Sequence, residues 1–190
     1  GKSAFRWCSN LQEVLLPNTL QCISEYSFEN TSALKSIVIP TSIKSIEAYA
    51  FSASGLTSIE IEGNGLSIGN NVFWKCGSLV SAKIKDNSAY EIALNRGTFA
   101  DCPLLQTIEI DANLVRVPDN FASGTYSLST VILPDTVVTY GMESFSSIAA
   151  YDKGFLKSFE LSANTKYIEK STFQHRKGLE SIDVPDTLET

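Results

Sequence analysis

The chain has 190 residues, 43% hydrophobic and 19% charged, with a net charge of −6. That length carries one sizeable core, and a surface of that sign repels phosphate backbones, which excludes nucleic acid as a natural partner. Its apolar runs all fall short of the roughly 18 residues that suggest a membrane span.

From the N-terminus, residues 14–28 read VLLPNTLQCISEYSF and residues 37–51 read IVIPTSIKSIEAYAF, a repeat displaced by 23 residues. The phenylalanine that closes each stretch recurs as Phe5, Phe28, Phe51, Phe73, Phe99, Phe121, Phe145 and Phe173. Each is followed by a leucine: Leu11, Leu34, Leu56, Leu79, Leu105, Leu128, Leu156 and Leu179. The pattern L-x-x-[IV]-x-[IL] begins at each of these leucines. Its last residues alternate with period two, which predicts a short strand with one buried face at the close of each of the eight frames. A unit of about 23 residues cannot enclose a core alone, but stacked units can. The expectation is one solenoid domain over 1–190 of about eight coils. Its strands run parallel, and the phenylalanines form a second apolar column. Neither end carries a polar cap and Gly1 is not a Met, so the chain is expected to be a piece of a longer array.

The ninth position of each frame reads Thr19, Ser42, Asn64, Asn87, Asn113, Thr136, Asn164 and Thr187. Frames with proline at position seven (Pro17, Pro40, Pro134, Pro185) carry Ser or Thr, and the others carry Asn. Proline presets φ and removes one N–H. A hydroxyl is therefore expected to suffice beside it, while Asn elsewhere serves both a donor and an acceptor of the bend.

These residues resemble the BspA-like leucine-rich repeat, [IL]-P-x-[ST]-[IL]-x-x-I-x-x-x-A-F-x-x-C. Ile39-Pro40-Thr41-Ser42-Ile43, Ile46, Ala50 and Phe51 carry the likeness, as do Phe73-Trp74-Lys75-Cys76 and Phe99-Ala100-Asp101-Cys102. Departures are the four frames without proline and two lengthened frames, SAYEIALNRGT (88–98) and SSIAAYDKGF (146–155). The resemblance implies an α/β right-handed horseshoe. Short parallel strands line its concave side; turns, 3-10 or small strand pieces line the convex side. It also implies an extracellular or cell-surface protein that adheres to a host protein or glycan.

Four cysteines invite other readings. Cys8, Cys76 and Cys102 stand three residues after a repeat phenylalanine, where Thr31, Ser54 and Gly124 stand elsewhere, and Cys22 aligns with Ser45. Either they are small packing residues, or Cys76 and Cys102 form a disulfide, since neighbouring coils lie about 5 Å apart. No C-x-x-C occurs, so no metal is expected. His175 is the only histidine and occupies a slot that accepts any residue. No catalytic or phosphate-binding motif is present, so no enzyme activity and no cofactor are expected.

Strand positions three and five point away from the core. Position three reads Glu13, Ser36, Ser58, Ser81, Thr107, Thr130, Ser158 and Ser181, a hydroxyl ladder suited to strand pairing or to a polar floor. Position five reads Leu15, Val38, Glu60, Lys83, Glu109, Ile132, Glu160 and Asp183, so partner choice is written there. Glu60, Lys83, Glu109 and Ile132 are candidate contacts. Trp74, on a lateral turn, is the best single anchor, and Tyr151 in the second insertion follows. The functional expectation is a surface or secreted binding module, and the alternative is a stiff spacer with no ligand of its own.

Overall fold

The computed structural model describes residues 1–189. In chain order its strands are β1 (Cys22–Ile23), β2 (Ser45–Ile46), β3 (Ser58–Gly63), β4 (Ser67–Ile68), β5 (Ser81–Asp86), β6 (Ala93–Leu94), β7 (Thr107–Asp111), β8 (Arg116–Val117), β9 (Thr130–Ile132), β10 (Thr139–Tyr140), β11 (Ser158–Glu160), β12 (Tyr167–Ile168) and β13 (Ser181–Asp183). Every pairing is parallel and joins successive coils. The result is a leucine-rich-repeat solenoid. Longer strands form the sheets β3-β5-β7-β9 and β11-β13, and two-residue strands form β1-β2-β4-β6 and β8-β10-β12. Among the described residues there is no helix, so the α component of the expected α/β class reduces to turns and short strands.

The register follows the sequence pattern. Ile59, Ala82, Ile108 and Val131 pair in line, as do Ile61, Ile84 and Ile110, and their side chains fill the core. The first two frames differ. Val14 and Leu16 stay half-buried and Ile39 is buried, yet neither stretch forms a ladder. Proline explains much of this. The frames that end at Pro17 and Pro40 form no long strand, and those ending at Pro134 and Pro185 form strands of 3 residues. The proline-free β3, β5 and β7 run for 5–6 residues. Proline lacks the N–H that would extend the ladder, so it cuts the strand short. The proline-free β11 has only 3 residues, because its one long-strand partner is β13. The insertion at 146–155 separates β9 from β11, which splits the long-strand face into two sheets.

The phenylalanine column is buried except at its ends, where Phe5 on the first coil is exposed and Phe173 on the last is half-buried. Centroids of Phe5, Phe28, Phe51, Phe73 and Phe99 follow one another at 5.2–5.6 Å with ring planes within 4–13°. Phe121 breaks the pattern, lying at 77° to Phe99 and 81° to Phe145. Its backbone is one residue out of step. The N–H of Phe28 donates to Ala50 O and that of Phe73 to Thr98 O, but in the sixth coil it is Ala122 that donates, to Ser144 O. Left-handed residues flank Ala122 (Asn120 and Gly124) as Tyr26 and Asn30 flank Phe28. The slot three residues on is therefore Thr125 rather than Gly124. Its hydroxyl donates to Ala122 O at 2.7 Å, as Thr31 donates to Phe28 O at 2.7 Å.

That slot decides between the two cysteine readings. Cys76 and Cys102 are free, fully buried thiols, and each donates to a carbonyl of the preceding coil, Phe51 O and Phe73 O, at 3.1 Å. Burial pushes the Cys102 thiol well above its ordinary pKa. In the coils of Thr31, Cys76, Cys102 and Thr125 the position takes a small donor, thiol or hydroxyl, that satisfies a buried carbonyl.

The ninth position works otherwise than its residue types suggest. The hydroxyls of Ser42, Thr136 and Thr187 each donate to the preceding coil, to Leu20 O, Leu114 O and Thr165 O. Thr136 also accepts from Leu114 N–H, so the hydroxyl is the group that plays both parts. Asn87, Asn113 and Asn164 use only Nδ2, toward Glu62, Ala89 O and Asp135 O. These amides lie toward the surface, where their remaining bonding groups are open to solvent.

Candidate functional site

On the long-strand face, the strand pairing aligns Ser58, Ser81, Thr107 and Thr130 in one row and Glu60, Lys83, Glu109 and Ile132 in the next. The last four, expected as partner contacts, thus stand together. They line a shallow depression of about 480 Å³ together with the hydroxyl row. Lys83 Nζ meets Glu109 Oε1 at 2.7 Å, and Lys85 Nζ meets Glu62 Oε1 at 3.3 Å. The hydrogen bond to Glu109 raises the Lys83 pKa, and Asn87, then Lys85, lowers that of Glu62. These groups are solvated, so the pairs orient side chains more than they stabilise the fold. Ile132 is 54% exposed at one end of the row, and Leu15 and Val38 are 87% and 82% exposed on the first two coils.

Trp74 does not share that face. It is half-buried on the flank, where its Nε1–H donates to Asp101 Oδ2 at 2.9 Å. Its ring meets Tyr49 edge-on at 6.2 Å, and Lys75 Nζ lies 4.1 Å from its centroid. Tyr151 is exposed on the second insertion, 5.4 Å from Tyr126. His175 sits exposed on a left-handed turn.

Around Trp74 the flank opens into a groove of about 720 Å³, lined by Tyr49, Asn70, Asn71, Arg96 and Asp101 among others. Sequence reading found only its tryptophan. The other side chains come from several coils, at slots beside each phenylalanine where residue types vary. The one readable trace is the column two residues before each phenylalanine's backbone place: Tyr26, Tyr49, Asn71, Gly97, Asn120, Glu143.

Two arginine clusters were also illegible. Arg176 takes the slot that Cys76 and Cys102 occupy elsewhere, and its guanidinium is buried. It donates to Phe145 O and Thr125 O at 2.6 Å and to Thr125 Oγ1 at 2.8 Å, and pairs with Asp152 Oδ1 at 3.3 Å. Burial lowers the Arg176 pKa, and the Asp152 charge opposes that shift. Arg116 grips Glu169 through two bonds of 2.6 and 3.1 Å and reaches Asp119 at 2.6 Å. Among the described residues, no three His, Cys, Asp or Glu side chains gather as metal ligands would, and no helix is long and apolar enough to cross a membrane.

The family profile of the BspA type leucine rich repeat region matches residues 1–93 and 67–190, in six copies. No curated protein matches the sequence. A leucine-rich repeat protein from Bacteroides ovatus is 20% identical over 100% of this chain and 70% of that one, with a TM-score of 0.43. A leucine rich cell surface protein from Faecalibacterium prausnitzii is 17% identical over 99% of this chain, with a TM-score of 0.51. The chain spans 63% of that second protein, and the likeness supports the fold alone.

Proposed function

Because the chain belongs to the BspA-type leucine-rich repeat family, we propose that it is a non-enzymatic binding module, exposed at a cell surface or secreted. In this reading it engages an extracellular protein through the long-strand face. One observation carries the proposal. Glu60, Lys83, Glu109 and Ile132 stand in strict register beside a row of hydroxyls on the same outward face, so of these two rows only theirs varies in chemistry. An extended sheet face with acidic, basic and apolar groups in fixed order matches a folded partner better than a small molecule. The name of the Faecalibacterium protein agrees with the location.

Biolayer interferometry against immobilised extracellular-matrix proteins tests this. The wild-type chain binds at least one of them. Ile132→Asp weakens that binding roughly tenfold, and Lys83→Glu changes the association rate and its salt dependence. Failure to bind any of them, with both variants behaving as wild type, supports a spacer. The internal Lys83–Glu109 and Lys85–Glu62 pairs are the observation that favours such a spacer.

A further inference from the structure

We infer that the flank groove around Trp74 is a second binding site, and that its ligand class is an uncharged oligosaccharide. The inference extends the binding-module reading to another face and is independent of which protein the long-strand face takes.

The first argument is the chemistry of the lining. A pyranose presents apolar C–H faces rimmed by hydroxyls that both donate and accept. The groove supplies matching groups: the Trp74 and Tyr49 rings on one wall, and amides, a phenol, a guanidinium and a carboxylate around them.

The second argument is that these groups are held in place while keeping bonding capacity. Asn71 Nδ2 donates to Tyr49 Oη at 2.9 Å, which leaves the Tyr49 hydroxyl proton to be given away. Arg96 uses Nε on Asn120 Oδ1 at 3.1 Å, and its two Nη groups bond no other described residue. Asp101 uses Oδ2 on the Trp74 indole at 2.9 Å and keeps Oδ1. Such preorganisation lowers the entropic cost of ordering a ligand. Gly97 helps to shape the floor. It is the one glycine in its column, with φ +66°, and a Cβ there would lie 2.2 Å from Asn71 Oδ1. The Asn71 amide therefore lies across the glycine and braces Tyr49.

The third argument is charge and length. Arg96 is the one cation of the lining and faces Asp101 and Glu25, while Lys2 is paired to Glu25 at 2.6 Å and Lys75 lies over the Trp74 ring, so no cluster of free cations is present to grip phosphate or sulfate. Too few apolar groups line it for a lipid tail. A neighbouring depression of about 480 Å³, lined by residues of β6 and β8, shares Asn70 and Arg96 with it, so the recess extends beyond the groove and gives room for more than one sugar unit.

The test is an array of neutral hexose and N-acetylhexosamine oligosaccharides probed with the whole chain, followed by calorimetry with whichever oligomers bind. Expected are binding by wild type, a loss of roughly tenfold or more in Trp74→Ala and a loss of roughly threefold or more in Arg96→Ala. Lys83→Glu, on the long-strand face, leaves this binding unchanged. Arg96 is exposed, so its variant keeps the test valid if Trp74→Ala misfolds. The inference falls if no neutral oligosaccharide binds, if both groove variants bind as wild type, or if sulfated chains bind in preference to neutral ones. It also falls if Arg96→Ala leaves sugar binding intact while abolishing capture of a matrix protein.

Discussion

Asp86 is a nearly buried carboxylate at the end of β5, enclosed by N–H donors. It accepts from Gly65 N at 2.8 Å, Leu66 N at 2.9 Å and Ser88 N at 3.1 Å, joining the turn of one coil to the lengthened loop of the next. Burial alone would raise its pKa, but the three backbone donors and the Ser88 hydroxyl outweigh burial and hold it below the usual carboxylate value. A group whose folded pKa is depressed contributes stability above its unfolded pKa of about 3.9 and loses it as the pH falls through the folded value. Asp86→Asn is therefore expected to cost about 1–3 kcal/mol at neutral pH. Urea unfolding at falling pH checks it: the gap from wild type narrows below about pH 4. None of this was legible, because Asp86 precedes Asn87 of the ninth-position series and reads as an ordinary polar turn residue. The residues that matched expectation, such as Ile61 and Ile84, did so because burial on a strand imposes a strict alternation.

Among elements, the insertion at 146–155 shows how a coil absorbs extra chain. It splits the long-strand face, and Arg176 of the next coil fills and ties the enlarged interior. Its N–H groups meet carbonyls, but only Asp152 balances its charge, with both side chains 1–3% exposed. Asp152→Ala should cost about 3–5 kcal/mol, because an uncompensated charge then stays buried. The double variant Asp152→Leu with Arg176→Met should recover much of that loss, which thermal and urea midpoints of the three proteins will show. The insertion itself was plain in the sequence. Its partner was not, since Arg176 looks like any basic residue near a turn. Strand lengths were half legible: the prolines were visible, but their effect on the ladder needed the pairing of each strand with its neighbour.

For the molecule as a whole, stability is a sum over neighbouring coils. Phe73 lies between Phe51 at 5.6 Å and Phe99 at 5.4 Å, so its loss opens the column at two contacts. Phe73→Ala should cost about 3–5 kcal/mol. Phe5→Ala, at the partly exposed first coil, should cost about 1 kcal/mol. Native-state hydrogen exchange should show protection falling first in the coils either side of residue 73. The repeat frame and its buried columns were readable because every coil restates them. Phe121 was misaligned by one residue because its ring reaches the same space from an adjacent backbone position. The flank groove was unreadable because it depends on what differs between coils.

The direction of the backbone bonds has a mechanical consequence. They run from each coil to the next, along the axis of the stack, so tension on the two ends loads them in series and peels coils one at a time. Arg176 and Arg116 interrupt that sequence, since each reaches a residue two coils away, Thr125 and Glu169 respectively. A pulled chain would therefore yield from its N-terminal coils first and hold longest where these two rivets cross the joints.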